Sequence, residues 1–524
     1  MIKVYVKLMR FNKGRPDEYI SVKCMINESA TKDELSEDDF KSLIRFIMQE
    51  NIRIEERFNG MKDVYNPHIF LGGNIIMPRF MFQRLAEYFT DNNIPFEVVH
   101  TSHISDESLV AKSGRTFGKL KIDLYADKIA VIDKIVSDLR TDFGIIVKLD
   151  TGGGKSVIIA EVIRRFGLLT NIIVKDSTLQ RQMNKDLHRT LQLDCESDCS
   201  NSTDNPAECM SKNGLSKCKY IAMLGGTKSA SNSRLLDSGN FKILISVINS
   251  AKDRDYKFWS KFGLTIFDEC HNYASEINSL IYQRSQTKYM MGLSATPEKR
   301  WNHMMIEHNI GKIVDFNPYI KAGIRLRGEV RKISYRGPPQ YTQPLKNVRG
   351  VMSVAKMVKQ FMEDEGRNEM IIKTIISTVR EHSFGFVFAM RNDFLIMLKD
   401  MLDKAAPDIT SMILCSDTAV VDKEITIKNV NVVFTNFSFS EGVNLTHMRF
   451  LLTASPYKGN GKQITGRLLR DLKDEVRYFY DIVDVNTKLS QQFEEREHVY
   501  LERGFEIIDY VLTSTAKSAR KNID

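Results

Sequence analysis

The sequence predicts an α/β protein in which two domains with parallel sheets follow one another, preceded by a small α/β domain. Two series of short apolar runs, separated by segments of helical spacing, are the first observation. Such alternation is typical of a parallel sheet that helices cover on both faces. The second observation is length, because 524 residues exceed one core at roughly 100–200 residues per domain.

Composition narrows the class of protein. The chain has 42% apolar and 27% charged residues, as in globular proteins. No apolar run approaches the ~18–20 residues that span a bilayer, and the N-terminus lacks a signal-peptide pattern. Seven cysteines do not make a disulfide scaffold, so we expect a reducing, cytoplasmic location and no membrane partner. The net charge of +9 suits a polyanionic partner without requiring one.

The small N-terminal domain is predicted from strand-like alternation in MIKVYVKLM and YISVKCMI and from a hairpin at Gly72-Gly73. The first apolar series is FGIIVKL, NIIVK, FKILISV, LTIFDE and YMMGLSA. The second is FGFVFAM, ITSMILC, VNVVFTN, RFLLTA and RYFYDIVDV. The predicted divisions are residues 1–115, the first parallel-sheet domain 116–325, the second 326–486, and a C-terminal helix and tail 487–524.

A glycine-rich loop follows the strand FGIIVKL and precedes the helix SVIIAEVIRRFG. Glycines let backbone N–H groups approach a phosphate, and the helix N-terminus favours the anion. Lys155 would then bridge the β- and γ-phosphates, and the Ser156 hydroxyl would hold Mg²⁺. Leu149 occupies the position of the first glycine of the usual pattern, and a glycine turn that merely caps a helix is the alternative. The loop residues are Thr151, Gly152, Gly153, Gly154, Lys155 and Ser156.

A pair of acidic residues, Asp268 and Glu269, ends the apolar strand LTIFDE. The C-terminal edge of a parallel sheet is where phosphate ligands bind. Asp268 is expected to hold Mg²⁺, and Glu269 to orient and deprotonate the attacking water. His271 taken alone is expected to be structural, and the alternative is a sensor that couples the two domains.

The order of these motifs resembles superfamily 2 helicases over residues 119–485. DTGGGKS, DECH, Ser294-Ala295-Thr296, SEGVNL and QITGRLLR resemble motifs I, II, III, V and VI. Within that group the chain is most similar to the phage UvsW and RecG-like DNA helicases. The resemblance implies two tandem RecA-like motor domains that hydrolyse ATP with Mg²⁺ in the cleft between them. If the protein is viral, it implies the host cytoplasm.

The resemblance also implies roles for single residues. Arg470 would be the arginine finger, Arg467 the γ-phosphate contact, and Gln463 and Gly442 further nucleotide-site residues. Asp127 stands where the family has an adenine-reading glutamine. A carboxylate could accept a hydrogen bond from the adenine amino group but cannot donate one as an amide does.

Six residues in the motifs around the two sheets are candidates for contacts with a nucleic-acid backbone. Such contacts position a strand without reading its sequence. Helix capping by Ser177 or Thr178 is an equally good interpretation of that segment. The candidates are Ser177, Gln182, Ser246, Asn249, Thr435 and Ser440.

A polar insert at residues 193–220 holds four cysteines with the spacing C-x3-C-x9-C-x8-C. They could bind one Zn²⁺ as a Cys₄ site, hold an iron–sulfur cluster, or remain free thiols. The candidate ligands are Cys195, Cys199, Cys209 and Cys218.

Together these features predict an ATP-dependent DNA helicase or translocase that unwinds or branch-migrates DNA in replication, recombination or repair. DNA is favoured over RNA as the partner, and a monomer over an oligomer. An RNA helicase is the nearest alternative, followed by a duplex translocase that displaces bound proteins or polymerase. A nucleotide-gated clamp without turnover is the least favoured, because it would need neither Glu269 nor Arg470.

Overall fold

The computed structural model describes most of the chain, and the architecture is that of those residues. The chain divides into two compact units, Met1–Lys321 and Ala322–Asp524. In the parts that the structure describes, no helix is long and apolar enough to cross a membrane. The described residues are 1–11, 19–49, 52–56, 60–65, 68–101, 117, 120–150, 153–191, 221–225, 236, 241–274, 278, 280–299, 303–319, 328–346, 352–414, 430–436, 448–456, 476–502 and 504–511.

The first unit begins with a small mixed sheet whose strand order is β5-β6-β2-β1-β7. Only the pairing of β1 with β7 is parallel among the pairs described in this sheet. Strands β3 and β4 form a separate antiparallel ladder. The elements are β1 Ile2–Phe11, β2 Tyr19–Asn27, α1 Glu28–Glu34, α2 Glu37–Gln49, β3 Ile52–Glu56, β4 Gly60–Tyr65, β5 Ile69–Leu71, β6 Asn74–Pro78, α3 Met81–Asp91 and β7 Phe96–His100.

A parallel sheet of seven described strands follows, in the order β10-β11-β9-β12-β13-β8-β14. Its strands are β8 Gly144–Lys148, β9 Thr170–Val174, β10 Ile221–Leu224, β11 Ile243–Val247, β12 Leu264–Asp268, β13 Tyr289–Ser294 and β14 Lys312–Asp315. Its helices are α4 Ala126–Asp142, α5 Lys155–Phe166, α6 Ser177–Thr190, α7 Ile248–Ala251, α8 Tyr256–Trp259, α9 Leu280–Arg284 and α10 Met304–Ile310, with 3-10 turns at Cys270–Tyr273, Pro297–Lys299 and Asn317–Tyr319.

This sheet is buried on both faces, which explains why its strands read as continuous apolar runs. Ile145 and Val147 point into one core, and Ile146 points into the other. The second of these cores also contains Val4 and Phe80 of the N-terminal part. The N-terminal sheet is therefore a distinct sheet that shares a hydrophobic core with the first parallel sheet.

Polar contacts join the N-terminal part to the edge of the first parallel sheet at which its strands begin. The guanidinium of Arg79 donates to the carbonyl oxygens of Thr287 and Lys288, the latter at 2.7 Å. The Gln83 amide donates to Gly144 O at 3.2 Å and accepts from Lys312 N at 2.9 Å. These partners lie at the amino ends of their strands, whereas the phosphate loop follows the carboxyl end of β8.

The second unit contains another parallel sheet of seven described strands, in the order β17-β18-β16-β19-β20-β15-β21. Its strands are β15 Gly328–Tyr335, β16 Gly385–Ala389, β17 Ser411–Leu414, β18 Val432–Asn436, β19 Phe450–Thr453, β20 Arg477–Asp484 and β21 Glu506–Asp509. Its helices are α11 Pro339–Thr342, α12 Val354–Met362, α13 Glu365–His382, α14 Asn392–Ala405 and α15 Gln491–Glu502, with a 3-10 turn at Lys488–Ser490.

The predicted fold class is confirmed: each unit contains a parallel sheet of an α/β domain, and a small mixed sheet with its helices precedes the first of them. One prediction at the C-terminus was wrong, because Glu506–Asp509 forms edge strand β21 beside β15 instead of continuing the last helix. Helix α15 ends at Glu502, and Gly504 has φ +72°, a conformation that side chains other than glycine rarely adopt. The chain can then turn back onto the sheet.

Candidate active site

The phosphate loop begins where β8 ends, at Lys148, and closes at the first residues of α5. Gly154 precedes α5 with φ +78°, so this position favours glycine. A Cβ atom at Gly153 would lie 2.6 Å from Leu149 Cγ. Leu149, found where the usual pattern has a glycine, is itself buried. Its side chain thus packs under the loop and makes a glycine necessary at position 153.

The two polar residues that begin α5 both contact carboxylates. Lys155 Nζ donates to Glu269 Oε1 at 2.8 Å, and the two side chains are 11% and 20% exposed. Ser156 Oγ donates to Asp186 Oδ2 of α6 at 3.0 Å. The structure therefore brings the phosphate loop and the acidic pair together, as parallel strands that end at one edge require.

Asp268 and Glu269 lie at the carboxyl end of β12, and the backbone there is unusual. Glu269 has φ +47°, a region that a residue with a side chain adopts only when its surroundings impose it. The Tyr273 hydroxyl donates to Asp268 O at 2.9 Å and to Ile173 O at 3.2 Å. This tyrosine anchors the turn that directs the Glu269 side chain toward Lys155.

Burial and a neighbouring charge change the ionisation of Asp268. Burial of the carboxyl, and then the negative charge of Glu269, raises the pKa of Asp268 to about 7. The ammonium of Lys155 opposes this rise. A cation that binds at this edge would stabilise the ionised form of Asp268, because it would offset both causes.

His271 is buried and connects the acidic pair to the end of β13. Its Nδ1 lies 2.8 Å from Ser294 Oγ and 3.5 Å from Glu269 Oε2. Ser294 Oγ also accepts from the Thr296 backbone N–H at 3.0 Å. The predicted motif at Ser294-Ala295-Thr296 is thus in direct contact with the acidic motif, in agreement with either interpretation of His271.

The first turn of α4 also reaches the phosphate loop. Asp127 is partly exposed, and its Oδ1 accepts from the Lys128 backbone N–H at 2.8 Å. The residue that contacts the loop is Lys128, whose Nζ donates to Gly153 O. Reading of adenine by Asp127 stays a prediction.

Two of the candidate nucleic-acid contacts are wrong on the grounds of burial. Ser246 is 0% exposed and donates to Asn171 Oδ1 at 2.7 Å. Thr435 is 1% exposed and donates to Leu414 O at 2.8 Å. Both lie within strands that are buried on both faces of their sheets, so neither hydroxyl offers an atom to a phosphate.

Three other candidates remain accessible. Asn249 is exposed, and Ser177 and Gln182 of α6 are partly exposed. The N-terminus of α6 is capped by Asp176, whose Oδ1 accepts from Thr178 N at 2.8 Å and Leu179 N at 3.0 Å. Capping by the side chain of Ser177 or Thr178 was therefore the wrong alternative.

Three site neighbours were missed by the sequence reasoning. Asp186 holds the Ser156 hydroxyl, Lys128 holds the loop carbonyl, and Asn317 Oδ1 accepts from Asp150 N at 2.9 Å. Each comes from an element outside the named motifs. Only for Lys128 was there a signal, because α4 leads directly into β8.

The remaining predicted residues lie outside the described ranges, so their roles stay predictions. Within those ranges, no group of three or more His, Cys, Asp or Glu side chains is arranged to hold a metal ion. The undescribed residues include the four cysteines of the insert, so the zinc prediction is not addressed. The predicted site residues outside the described ranges are Thr151, Gly152, Cys195, Cys199, Cys209, Cys218, Ser440, Gly442, Gln463, Arg467 and Arg470.

Comparisons with known proteins agree with this site. The family model for the type III restriction enzyme res subunit matches residues 121–299, which include the phosphate loop and the acidic pair. The African swine fever virus protein QP509L, provisionally named an ATP-dependent RNA helicase, is 25% identical over 403 residues, or 72% of each chain. A DNA 3'-5' translocase, XPB2 of Sulfurisphaera tokodaii, is 26% identical over 224 residues, 42% of this chain and 39% of its own.

Among solved structures, the crystal structure of T4 UvsW is similar with a TM-score of 0.37 and 16% identity, covering 97% of this chain and 99% of its own. The matched family model spans both Lys155 and Glu269, whose side chains are in contact in the structure. The motif order, the observed fold and these comparisons support a nucleic-acid-dependent ATPase that is similar to superfamily 2 helicases.

Proposed function

We propose that this helicase acts on DNA, as a helicase or translocase that unwinds or branch-migrates it in replication, recombination or repair. The observation that carries the motor assignment is the contact of Lys155 with Glu269 at the shared edge of β8 and β12. Support for DNA comes from the resemblance to the UvsW and RecG-like enzymes and from the likeness to a DNA translocase.

In the proposed mechanism, Lys155 exchanges Glu269 for the β- and γ-phosphates of ATP. Glu269 is then free to orient a water molecule and to accept its proton as that water attacks the γ-phosphorus. The bond from this phosphorus to the β–γ bridging oxygen breaks, and ADP and inorganic phosphate are the products. His271 and Ser294 hold the neighbouring turn, so that movement at the end of β13 changes the position of Glu269. Arg467 and Arg470 are proposed from the resemblance alone, as γ-phosphate contact and arginine finger.

The residues at this edge also fit Mg²⁺. Mg²⁺ prefers oxygen ligands and is usually held by one or two protein groups together with substrate phosphates and water. The Ser156 hydroxyl and the Asp268 carboxylate would supply the protein oxygens, with Asp186 exchanging its bond to Ser156 for a bound water. When bound, the ion neutralises charge that develops on the phosphate oxygens. The Cys₄ zinc proposal stands apart from this site, and metal analysis of protein purified without added zinc tests it.

An RNA helicase is the second candidate, favoured by the provisional name of the viral relatives. Both candidates would use the same ATPase site, because a motor that grips phosphates reads the backbone. The discriminating difference is therefore which polymer accelerates turnover.

The test measures ATP turnover without nucleic acid and with single-stranded DNA, duplex DNA, forked DNA and RNA, beside strand displacement on labelled forks. We expect forked or single-stranded DNA to stimulate turnover most and the fork to be separated. Stimulation by RNA alone would assign the RNA candidate. Stimulation by duplex DNA without strand separation would assign a translocase that displaces bound proteins.

Equal turnover with every polymer would reject the motor, and no turnover with retained binding would assign the clamp. Lys155→Ala serves as the control for contaminating ATPases. Because this residue is proposed to contact the phosphates, the variant is expected to lose turnover in every reaction.

A further inference from the structure

Lys128 lies against the phosphate loop although it belongs to no motif of the ATPase site. It occupies the first turn of α4, the helix that leads directly into β8 and hence runs antiparallel to it. Helix α4 has 17 residues and is about 25 Å long, whereas the 5 residues of β8 span about 16 Å. The first turn of α4 is therefore carried past the end of the strand, to the level of the loop.

The ammonium of Lys128 contacts the two glycines that directly precede α5. Its Nζ donates a hydrogen bond to Gly153 O. A Cβ atom built on Gly154 would lie 3.1 Å from the same Nζ, so the ammonium covers both residues that precede Lys155. Gly154 is the N-cap residue of α5, and the N-terminus of this helix is its anion-binding end.

In the described part of the loop, the Lys128 ammonium donates to an uncharged carbonyl oxygen, that of Gly153. Lys155, by contrast, is paired with Glu269 at 2.8 Å. Burial lowers the pKa of Lys128, and the nearby charge of Asp127 only opposes that effect. An anion bound at the loop would favour the ammonium, because it would compensate the charge that burial disfavours.

We propose that Lys128 is a second phosphate-binding lysine, which holds the loop through Gly153 O and contributes positive charge to binding of the nucleotide polyphosphate. The role rests on nucleotide binding at this loop, as in the proposed function. It does not depend on whether DNA or RNA is the polymer.

This position predicts that Lys128 acts on the phosphates and not on the base. Its contacts are with the loop at Gly153 and Gly154, at the phosphate-binding end of α5. Loss of the lysine should therefore lower the affinity for adenine and guanine nucleotides by the same factor. A residue that reads adenine would change the ratio of the two.

The experiment measures the affinity of the full chain for ADP and GDP by titration calorimetry without Mg²⁺, at low and high salt. Three variants separate charge from hydrogen bonding: Lys128→Arg keeps both, Lys128→Gln keeps a donor without charge, and Lys128→Ala keeps neither. Lys134→Ala is the matched control, because this lysine lies on the same helix and pairs with Asp138 at 3.2 Å on the surface. Thermal unfolding of each variant reports whether the fold is kept.

We expect Lys128→Ala and Lys128→Gln to lower the affinity for ADP and for GDP alike by about tenfold. This factor corresponds to the loss of one charge-assisted hydrogen bond. Lys128→Arg and Lys134→Ala should bind as the wild type does, and the loss should shrink at high salt. Wild-type affinity in Lys128→Gln, or a changed ratio of ADP to GDP, would overturn the proposal. Failure of the wild type to bind either nucleotide would instead refute the ATPase site itself.

Discussion

Glu269→Gln is the substitution that tests the active-site chemistry most directly. In the structure Glu269 accepts from Lys155 across 2.8 Å, with both side chains largely buried. Glutamine has the same shape and can still accept that hydrogen bond, but it can neither carry the negative charge nor take a proton from water. Turnover is therefore expected to fall by about 10²- to 10⁴-fold, the usual contribution of a general base.

The same substitution should strengthen nucleotide binding. A hydrogen bond between charged groups contributes about 1.5–3 kcal/mol and one to a neutral group about 0.5–1.5 kcal/mol. Breaking the bond between Lys155 and residue 269 should therefore cost about 1 kcal/mol less in the variant. This corresponds to an affinity for ADP that is about fivefold higher. The gain arises because phosphates no longer compete with a carboxylate for the lysine.

The assay pairs nucleic-acid-stimulated ATP turnover with calorimetric titration of ADP. Glu298→Gln is the matched control, because Glu298 accepts from Lys148 at 2.9 Å in the same unit and is 43% exposed. The control should change neither quantity. Retained turnover in Glu269→Gln would refute the base, and unchanged or weaker ADP binding would refute the competition for Lys155.

Three further outcomes are expected. Ser294→Ala removes the hydrogen bond to His271, so stimulated turnover should fall about threefold to tenfold while calorimetric ADP affinity is unchanged; equal turnover would contradict the coupling. Arg79→Ala removes both bonds to the edge of the parallel sheet and should cost about 2–4 kcal/mol in urea unfolding, whereas Arg84→Ala, 40% exposed at its side chain, should cost little. Asp268→Asn should stabilise the protein at pH 8 without Mg²⁺ or nucleotide. Because the folded-state pKa is raised from 3.8 to about 7, stability is lost as pH rises between these values. The gain should vanish below pH 4 in denaturant titrations at several pH values.

Much of the candidate active site could be predicted from the sequence because its parts are continuous in the chain. A strand, a glycine loop and a helix start specify the surroundings of Lys155 without any tertiary information. Since the carboxyl ends of parallel strands meet at one edge, the placement of Glu269 near Lys155 followed from two local patterns. The register of the sheet, with Ser294 opposite Lys148, extends the same argument to the serine motif.

Burial could not be predicted in this way for single polar residues. Ser246 and Thr435 stand at positions where a motif predicts contact with a backbone, yet both hydroxyls bond inside the protein. Burial of these hydroxyls follows from helices that cover both faces of each sheet, and the sequence of a single strand does not show where that cover ends. The end of the last helix was missed for a related reason, because pairing of β21 with β15 is a contact between distant segments.

The sequence by itself therefore determined the order of the domains, the phosphate loop and the acidic pair, since each is a short segment whose geometry its own residues impose. Tertiary structure alone decided the partners that these segments meet. Lys128 reaches Gly153 and Asp186 reaches Ser156 because helices from other parts of the chain pack beside the loop. The attachment of the N-terminal sheet through Arg79 and Phe80 has the same origin. Such contacts depend on how elements pack, and no local pattern records that packing.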